Sequence, residues 1–166
     1  PAFDWRAIVR SLIKNAIYLR IEQGGSTITQ QLAKNAYLSP EKTISRKIKE
    51  LLLAMRLEQQ FTKDEILNLY LNQIPYGSNA YGIEAAANTF FNKKAKDLSI
   101  TEAALLAALP NAPSYYSPYG SHKEELTTRE NFILKEMRKL GYIDDQQLSS
   151  ALKHKLAFAP QATSMK

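Results

Sequence analysis

Gly24-Gly25-Ser26-Thr27-Ile28-Thr29-Gln30-Gln31-Leu32-Ala33-Lys34-Asn35 reads as a sharp turn that feeds a helix. Two glycines free the backbone to turn. Ser26 or Thr27 then caps the helix, a side-chain oxygen accepting from an early backbone N–H. On a helix over residues 27–37, Ser26, Gln30 and Lys34 fall four apart on one face, while Ile28 and Leu32 point the other way. Free N–H groups and the positive dipole end make such a polar helix start a place for an anion.

The chain restarts at Ser39-Pro40, where Ser39 is expected to cap and Pro40 suits the first helical position, and a second helix is expected through Gln59. Thr43, Arg46, Lys47 and Glu50 share one side of it, and Ile44, Ile48, Leu51, Leu52 and Met55 form the opposite stripe. One turn past Glu50 its own side becomes apolar, with Leu53, Ala54 and Leu57. Glu50 is therefore expected at the edge of the core, with Arg46 and Lys47 as neighbours. Alone, an R-K-x-x-E helix is an ordinary solvated face with i,i+3 and i,i+4 pairing, and Gly-Gly-Ser-Thr an ordinary turn and cap.

At 166 residues, 45% apolar and 10% aromatic, the chain is long enough to bury a core as one domain. It has no cysteine, which removes disulfide and thiol chemistry. Its net charge of +6 favours an anionic partner: phosphates, nucleic acid or an acidic membrane surface. His122 and His154 stand far apart without a second-ligand spacing, which argues against a zinc site. The longest apolar runs, Leu51–Met55 and Ala103–Leu109, fall far short of the roughly 20 residues that span a bilayer.

Elsewhere the pattern is helical. Trp5, Ile8, Val9, Leu12, Ala16 and Leu19 form an apolar arc over residues 4–22, edged by arginines and Lys14; it reads as a core helix or as one lying on an anionic membrane. Thr62-Lys63-Asp64-Glu65 is a capping box, and Ile66, Leu69 and Tyr70 are expected inward. Residues 74–79 are a turn-rich loop, and Gly82 to Phe91 a small-residue helix closed by Asn92, which tolerates a left-handed conformation. Ser99 to Glu102 is a second capping box opening an alanine-leucine helix that Pro110 ends. Glu84 and Glu102 read as helix-start carboxylates meeting the dipole. A helix over 123–140 closes at Gly141, and Asp144 opens a last short one. From Ala157 periodicity is lost, as in a linker. No strand is expected: the fold class is all-α.

These motifs resemble, in order, signatures of the peptidoglycan glycosyltransferases, the polymerase domains of class A penicillin-binding proteins and their monofunctional relatives. The 24–35 stretch is similar to the second signature, and Arg46-Lys47-Ile48-Lys49-Glu50 to the third. Lys63 to Asn72 is similar to the fourth, and Arg129 with Ile133, Leu134 and Met137 to the fifth. The Tyr81–Ala87 and Glu102–Pro110 segments are also like that family. The first signature, E-D-x-x-F-x-x-H-x-G, is not among these residues. By position it would end near Pro1-Ala2, and its glutamate, the family's catalytic base, is expected just upstream of Pro1.

The resemblance implies a lysozyme-like helical domain over about 1–160, with a smaller membrane-proximal lobe over about 1–60, a core over about 61–155, and a linker starting at 157–166. The polar faces of Gln30 and Glu50 are expected along a cleft. It implies polymerisation of lipid II: the growing chain on its lipid diphosphate passes to the 4-hydroxyl of the incoming unit, with inversion and release of undecaprenyl diphosphate. Glu50 corresponds to the second glutamate, assisting diphosphate departure and orienting Lys47. Lys34, Lys42, Arg46 and Lys47 would hold the diphosphate, Lys42 standing where relatives often carry arginine. Ser26, Thr27, Gln30 and Gln31 would bind sugar or phosphate oxygens. Lys63 to Asn72 and Arg129 are expected to brace the core; Tyr115 and Tyr116 are open to sugar stacking. No cofactor is required, though a divalent ion, magnesium or manganese, fits the family's second glutamate. Expected partners are the nascent glycan strand, the membrane surface and inhibitors of the moenomycin type, with a transpeptidase domain in the intact protein and no nucleic acid. The expected location is the outer face of a bacterial cytoplasmic membrane, with the anchor upstream.

Three other readings stand beside this one. A basic helical module could bind nucleic acid, anionic membrane or lipid precursor without turnover; it explains the charge but not the Ser26–Gln30–Lys34 stripe. A lysozyme-type hydrolase needs two carboxylates flanking a glycosidic bond and has no use for the cations. A degenerate relative would bind lipid-linked precursor without reaction.

Overall fold

The computed structural model describes residues 26–38, 40–41 and 43–161. The helix expected over 4–22, the Gly24-Gly25 turn, Ser39 and Lys42 lie outside them. Among the described residues there are seven α-helices and one two-stranded hairpin, so the fold is all-α with a minimal sheet. The described residues divide into two compact units, one over 26–74 and the other over 75–161.

The first unit holds α1 (Ile28–Tyr37), α2 (Ile44–Gln60) and α3 (Lys63–Gln73). Thr27 caps α1, its side chain accepting from Gln30 N at 3.1 Å. Thr43 does the same for α2, at 3.1 Å from Arg46 N, so this helix starts four residues after the expected Ser39-Pro40. A threonine hydroxyl that satisfies a free N–H of the first turn fixes the start better than proline's permissive φ does. The capping box at Thr62 and Glu65 opens α3 as read from the sequence, and holds the Glu65 carboxyl below its usual range through the Thr62 N–H and hydroxyl. Ile66, Leu67 and Tyr70 of α3 are buried, and α3 packs on α1, which buries Ile28, Leu32 and Ala33. The sequence placed α3 with the core from about residue 61. Its periodicity marks an inner face but does not say which helix that face meets.

The apolar stripe of α2 faces outward. Ile44 is 83% exposed, and Ile48, Leu51, Leu52 and Met55 also lie open along the same three turns. The buried face is instead Glu50, Ala54 and Leu57. Glu50 is not at the core edge but only 1% exposed.

In the second unit, residues 75–81 form β1 (Pro75–Gly77) and β2 (Ala80–Tyr81), antiparallel, where the sequence reads only a loop. Ser78 and Asn79 at the tip carry φ of 50° and 58°, so the two turn residues reverse the chain tightly enough for pairing. Gly77, at φ 88°, lies where a Cβ would come within 2.8 Å of the Pro113 carbonyl oxygen. Helix α4 (Ile83–Phe91) buries Ala86, Ala87, Phe90 and Phe91 and ends at Asn92 in the left-handed region, φ 52°. Helix α5 (Ile100–Ala108) is buried nearly all round and packs on α6 (Lys123–Lys139). Glu102 completes the Ser99 capping box and pairs with Lys93 at 2.8 Å, while Glu84, in the first turn of α4, accepts from Ala95 N at 3.1 Å; both carboxylates therefore staple loops, and only Glu102 also caps its helix. Gly141, at φ 78°, closes α6, and the Asp144 capping box opens α7 (Asp145–Lys153).

The tail is not a bare linker at its start. Ala159 donates to the Phe90 carbonyl at 2.8 Å and accepts from the Tyr119 hydroxyl at 2.8 Å, and Phe158 stacks on Phe91. Loss of periodicity removes a helix; it does not prevent backbone and ring contacts with distant residues.

Candidate active site

The end of the first turn of α2 meets the residue that precedes α1. Glu50 is buried there with both oxygens engaged. Oε2 accepts from Arg46 Nη1 at 2.9 Å. Oε1 accepts from Lys47 Nζ and lies 3.5 Å from Ser26 Oγ. Lys47 Nζ also donates to Ser26 Oγ at 2.8 Å. Residues three and four apart share a helix face, which is how Arg46 and Lys47 converge on Glu50. Taking a lone carboxylate out of water is costly, and two cations at hydrogen-bond distance offset that cost.

The cations differ in access. The Lys47 side chain is 43% exposed and that of Arg46 only 16%. Arg46 Nε is buried without a hydrogen-bond partner among the described residues. The cluster thus presents a fixed positive edge, with one ammonium reachable from outside and a guanidinium held behind it. Such an edge, next to the N-terminus of α1, suits a phosphate-like anion.

Gln31 and Tyr70 extend the network. Gln31 Nε2 donates to the Ser26 carbonyl at 3.2 Å, and the Tyr70 hydroxyl donates to Gln31 Oε1 at 3.2 Å. The structure therefore brings together Ser26, Gln31, Arg46, Lys47 and Glu50. The Thr27 hydroxyl is used as the α1 cap, Gln30 is half-buried on the next turn, and Lys34 is exposed at the far end of α1. In the sequence Tyr70 shows only as an inward residue. The available signal was a hydroxyl in an otherwise apolar stripe, which needs a polar partner once buried.

Arg129 acts as a brace. Its Nε donates to the Ala108 carbonyl at 3.3 Å and its guanidinium lies 5.8 Å from the centre of the Tyr116 ring. Tyr115 stacks on His122 with centroids 3.8 Å apart, so both loop tyrosines already have protein partners.

A divalent ion fits these residues poorly. Both Glu50 oxygens face cations, and among the described residues no cluster of three His, Cys, Asp or Glu forms.

The family model described as Transglycosylase matches residues 1–138. Penicillin-binding protein 1A of Aquifex aeolicus is 55% identical over 146 residues, covering 88% of this chain and 20% of that protein. The protein of the same description from Pseudomonas aeruginosa is 51% identical over 148 residues, covering 87% and 18%. The crystal structure of penicillin-binding protein 1A from Haemophilus influenzae aligns with a TM-score of 0.52 at 26% identity, covering 82% of this chain and 17% of that one. The chain thus spans about a fifth of the length of these relatives. With the second and third signatures joined in one hydrogen-bonded cluster and a family match over most of its length, the chain belongs to the transglycosylase family, the domain type of class A penicillin-binding proteins.

Proposed function

We propose that this chain carries the diphosphate-binding half of a peptidoglycan glycosyltransferase that elongates glycan strands from lipid II. The observation that carries the reading is Lys47 held between Ser26 and the buried Glu50, with Arg46 behind. In the reaction, the bond from the sugar C1 of the growing chain to its diphosphate oxygen breaks. A bond from the acceptor 4-oxygen forms on the opposite face, and the hydroxyl proton passes to a base. Charge develops on the departing diphosphate. Cations pre-set by Glu50 meet that charge without reorganising, which is the strongest lever a site of this kind has. Glu50, buried and saturated by two cations, acts by holding them. The base belongs to the family's first signature, outside these residues.

The exposed Ile44–Met55 stripe supports a membrane surface as partner. It is flanked by Lys49 and Arg56 on one side and by Lys47 on the other, the pattern of a helix lying at a headgroup boundary. No helix among the described residues is long and apolar enough to cross a membrane. The outer face of the cytoplasmic membrane, an anchor, a following transpeptidase domain and competition by moenomycin-type phosphoglycolipids all belong to this proposal. The module that binds without turnover is not favoured by the family match.

The test is binding of lipid II to the full-length protein in detergent micelles, wild type beside Lys34→Ala/Lys47→Ala, with duplex DNA as competitor. Saturable binding that the double variant loses and DNA does not displace supports the reading. Equal binding by both forms, or displacement by DNA, overturns the assigned diphosphate site.

A further inference from the structure

We infer that Tyr70 is a positioning residue for the Ser26–Lys47–Glu50 cluster and acts through Gln31. The inference rests on the transferase reading above for its consequence, but its geometry stands apart from it.

The orientation of the Gln31 amide follows from its partners. The Ser26 carbonyl can only accept, so Nε2 must face it, at 3.2 Å. Oε1 then faces Tyr70, whose hydroxyl donates at 3.2 Å. Tyr70 lies on α3, 6% exposed, with Ile66 and Leu67 of the same helix buried alongside it. Its rigid ring therefore delivers the hydroxyl from a fixed point. The bond from Gln31 to the Ser26 carbonyl ties Ser26 to the first turn of α1. The same serine presents its Oγ to Lys47 Nζ at 2.8 Å. The chain of contacts runs Tyr70, Gln31, Ser26, Lys47, Glu50 and involves the three described helices of the unit.

Removing the Tyr70 hydroxyl leaves the Gln31 amide free to rotate. The Ser26 carbonyl loses its donor, and Ser26 Oγ loses its fixed place beside Lys47. Small displacements of this kind lower turnover far more than they lower affinity.

The experiment uses the full-length protein and lipid II. Tyr70→Phe is expected to lower kcat roughly tenfold while KM moves less than about twofold. Gln31→Leu is expected to do the same, and Tyr70→Phe/Gln31→Leu to be no worse than either alone, since both break one relay. Thermal unfolding separates this from a merely structural loss, because the melting temperature is expected to stay within a few degrees in Tyr70→Phe. Hydrogen–deuterium exchange of the peptide spanning residues 26–34 is the second readout; Tyr70→Phe is expected to accelerate it with no substrate present. Wild-type kcat in Tyr70→Phe, losses that multiply in the double variant, or unchanged exchange at 26–34 each overturn the inference. If the wild-type protein polymerises no lipid II, the transferase reading fails and the exchange result alone decides whether Tyr70 holds Ser26 in place.

Discussion

Lys47 donates to Ser26 across 2.8 Å, joining the first turn of α2 to a residue 21 positions earlier. Its second acceptor is Glu50, three residues on. The ammonium is thus aimed by two acceptors and still reachable. Lys47→Ala is expected to lower kcat/KM for lipid II about 10²-fold, the scale of removing one stabilising donor from a developing anion. Lys47→Arg keeps the charge but not the point geometry and is expected to recover only part of it. Circular dichroism should be unchanged in both; near-normal turnover in Lys47→Ala would remove this residue from the mechanism.

Glu50→Gln keeps the side-chain volume and removes the charge that gathers Arg46 and Lys47. One amide oxygen can serve one cation, and the amide nitrogen then opposes the other. Turnover is expected to fall roughly as far as in Lys47→Ala, with the two losses not multiplying in the double variant, because the pair acts as one unit. Multiplicative losses would mean that Glu50 acts on substrate independently of Lys47.

The exposed apolar stripe of α2 makes a separate prediction about lipid. Ile48→Asp and Leu52→Asp leave the buried Glu50, Ala54 and Leu57 face untouched. Each is expected to reduce polymerisation of lipid II in anionic vesicles several-fold, with a smaller effect in detergent micelles, since a charge on that stripe opposes insertion at the headgroup boundary. Equal activities in both media would detach the stripe from the membrane.

Glu130 lies on the inner face of α6 with Leu126, Ile133, Leu134 and Met137, and burial pushes its carboxyl up to about 7. The charged form is the penalised one. The penalty is absent below the unfolded value near 4.5, grows as pH rises toward 7, and is complete above it. Glu130→Gln removes that titration. Its stability relative to wild type is expected to rise by on the order of 3 kcal/mol between about pH 4 and about pH 8. Urea unfolding at the two pH values checks this; parallel pH profiles for the two proteins would show that Glu130 titrates normally.

Gly77→Ala tests the contact between the hairpin and the loop that follows α5. The added Cβ would meet the Pro113 carbonyl oxygen at 2.8 Å, and φ is 88°. The clash and the left-handed backbone both oppose it, so a loss of roughly 1–3 kcal/mol is expected in thermal or urea unfolding. A loss under about 0.5 kcal/mol, the range of an ordinary surface change, would show that the loop gives way freely.

Much of the fold could be read locally. The Thr62, Ser99 and Asp144 boxes, the left-handed Asn92 and the Gly141 stop each depend on residues within one or two turns, and each formed where the sequence put it. α2 starts at Thr43 and not at Ser39-Pro40; both are good starts, and the choice between them is a small energy difference. The hairpin was missed because strands so short carry almost no periodicity.

For the candidate site, the local neighbourhoods were legible in the residue order. Residue types and spacing put Arg46, Lys47 and Glu50 on one helix face, and set a serine and two glutamines at a helix start. Helical geometry alone guarantees those neighbourhoods, because they are three and four residues apart. Which face of α2 turns inward, that Glu50 is buried rather than marginal, and that Ser26 reaches Lys47 all depend on long-range packing. The same packing brings Tyr70, 39 residues from Gln31, to close the relay. An amphipathic pattern ranks faces by hydrophobicity, but α2 buries the face of Glu50, Ala54 and Leu57 and exposes its longer apolar stripe. A carboxylate held by two cations, as Glu50 is by Arg46 and Lys47, can be buried at modest cost, whereas an apolar stripe left open is free to meet lipid.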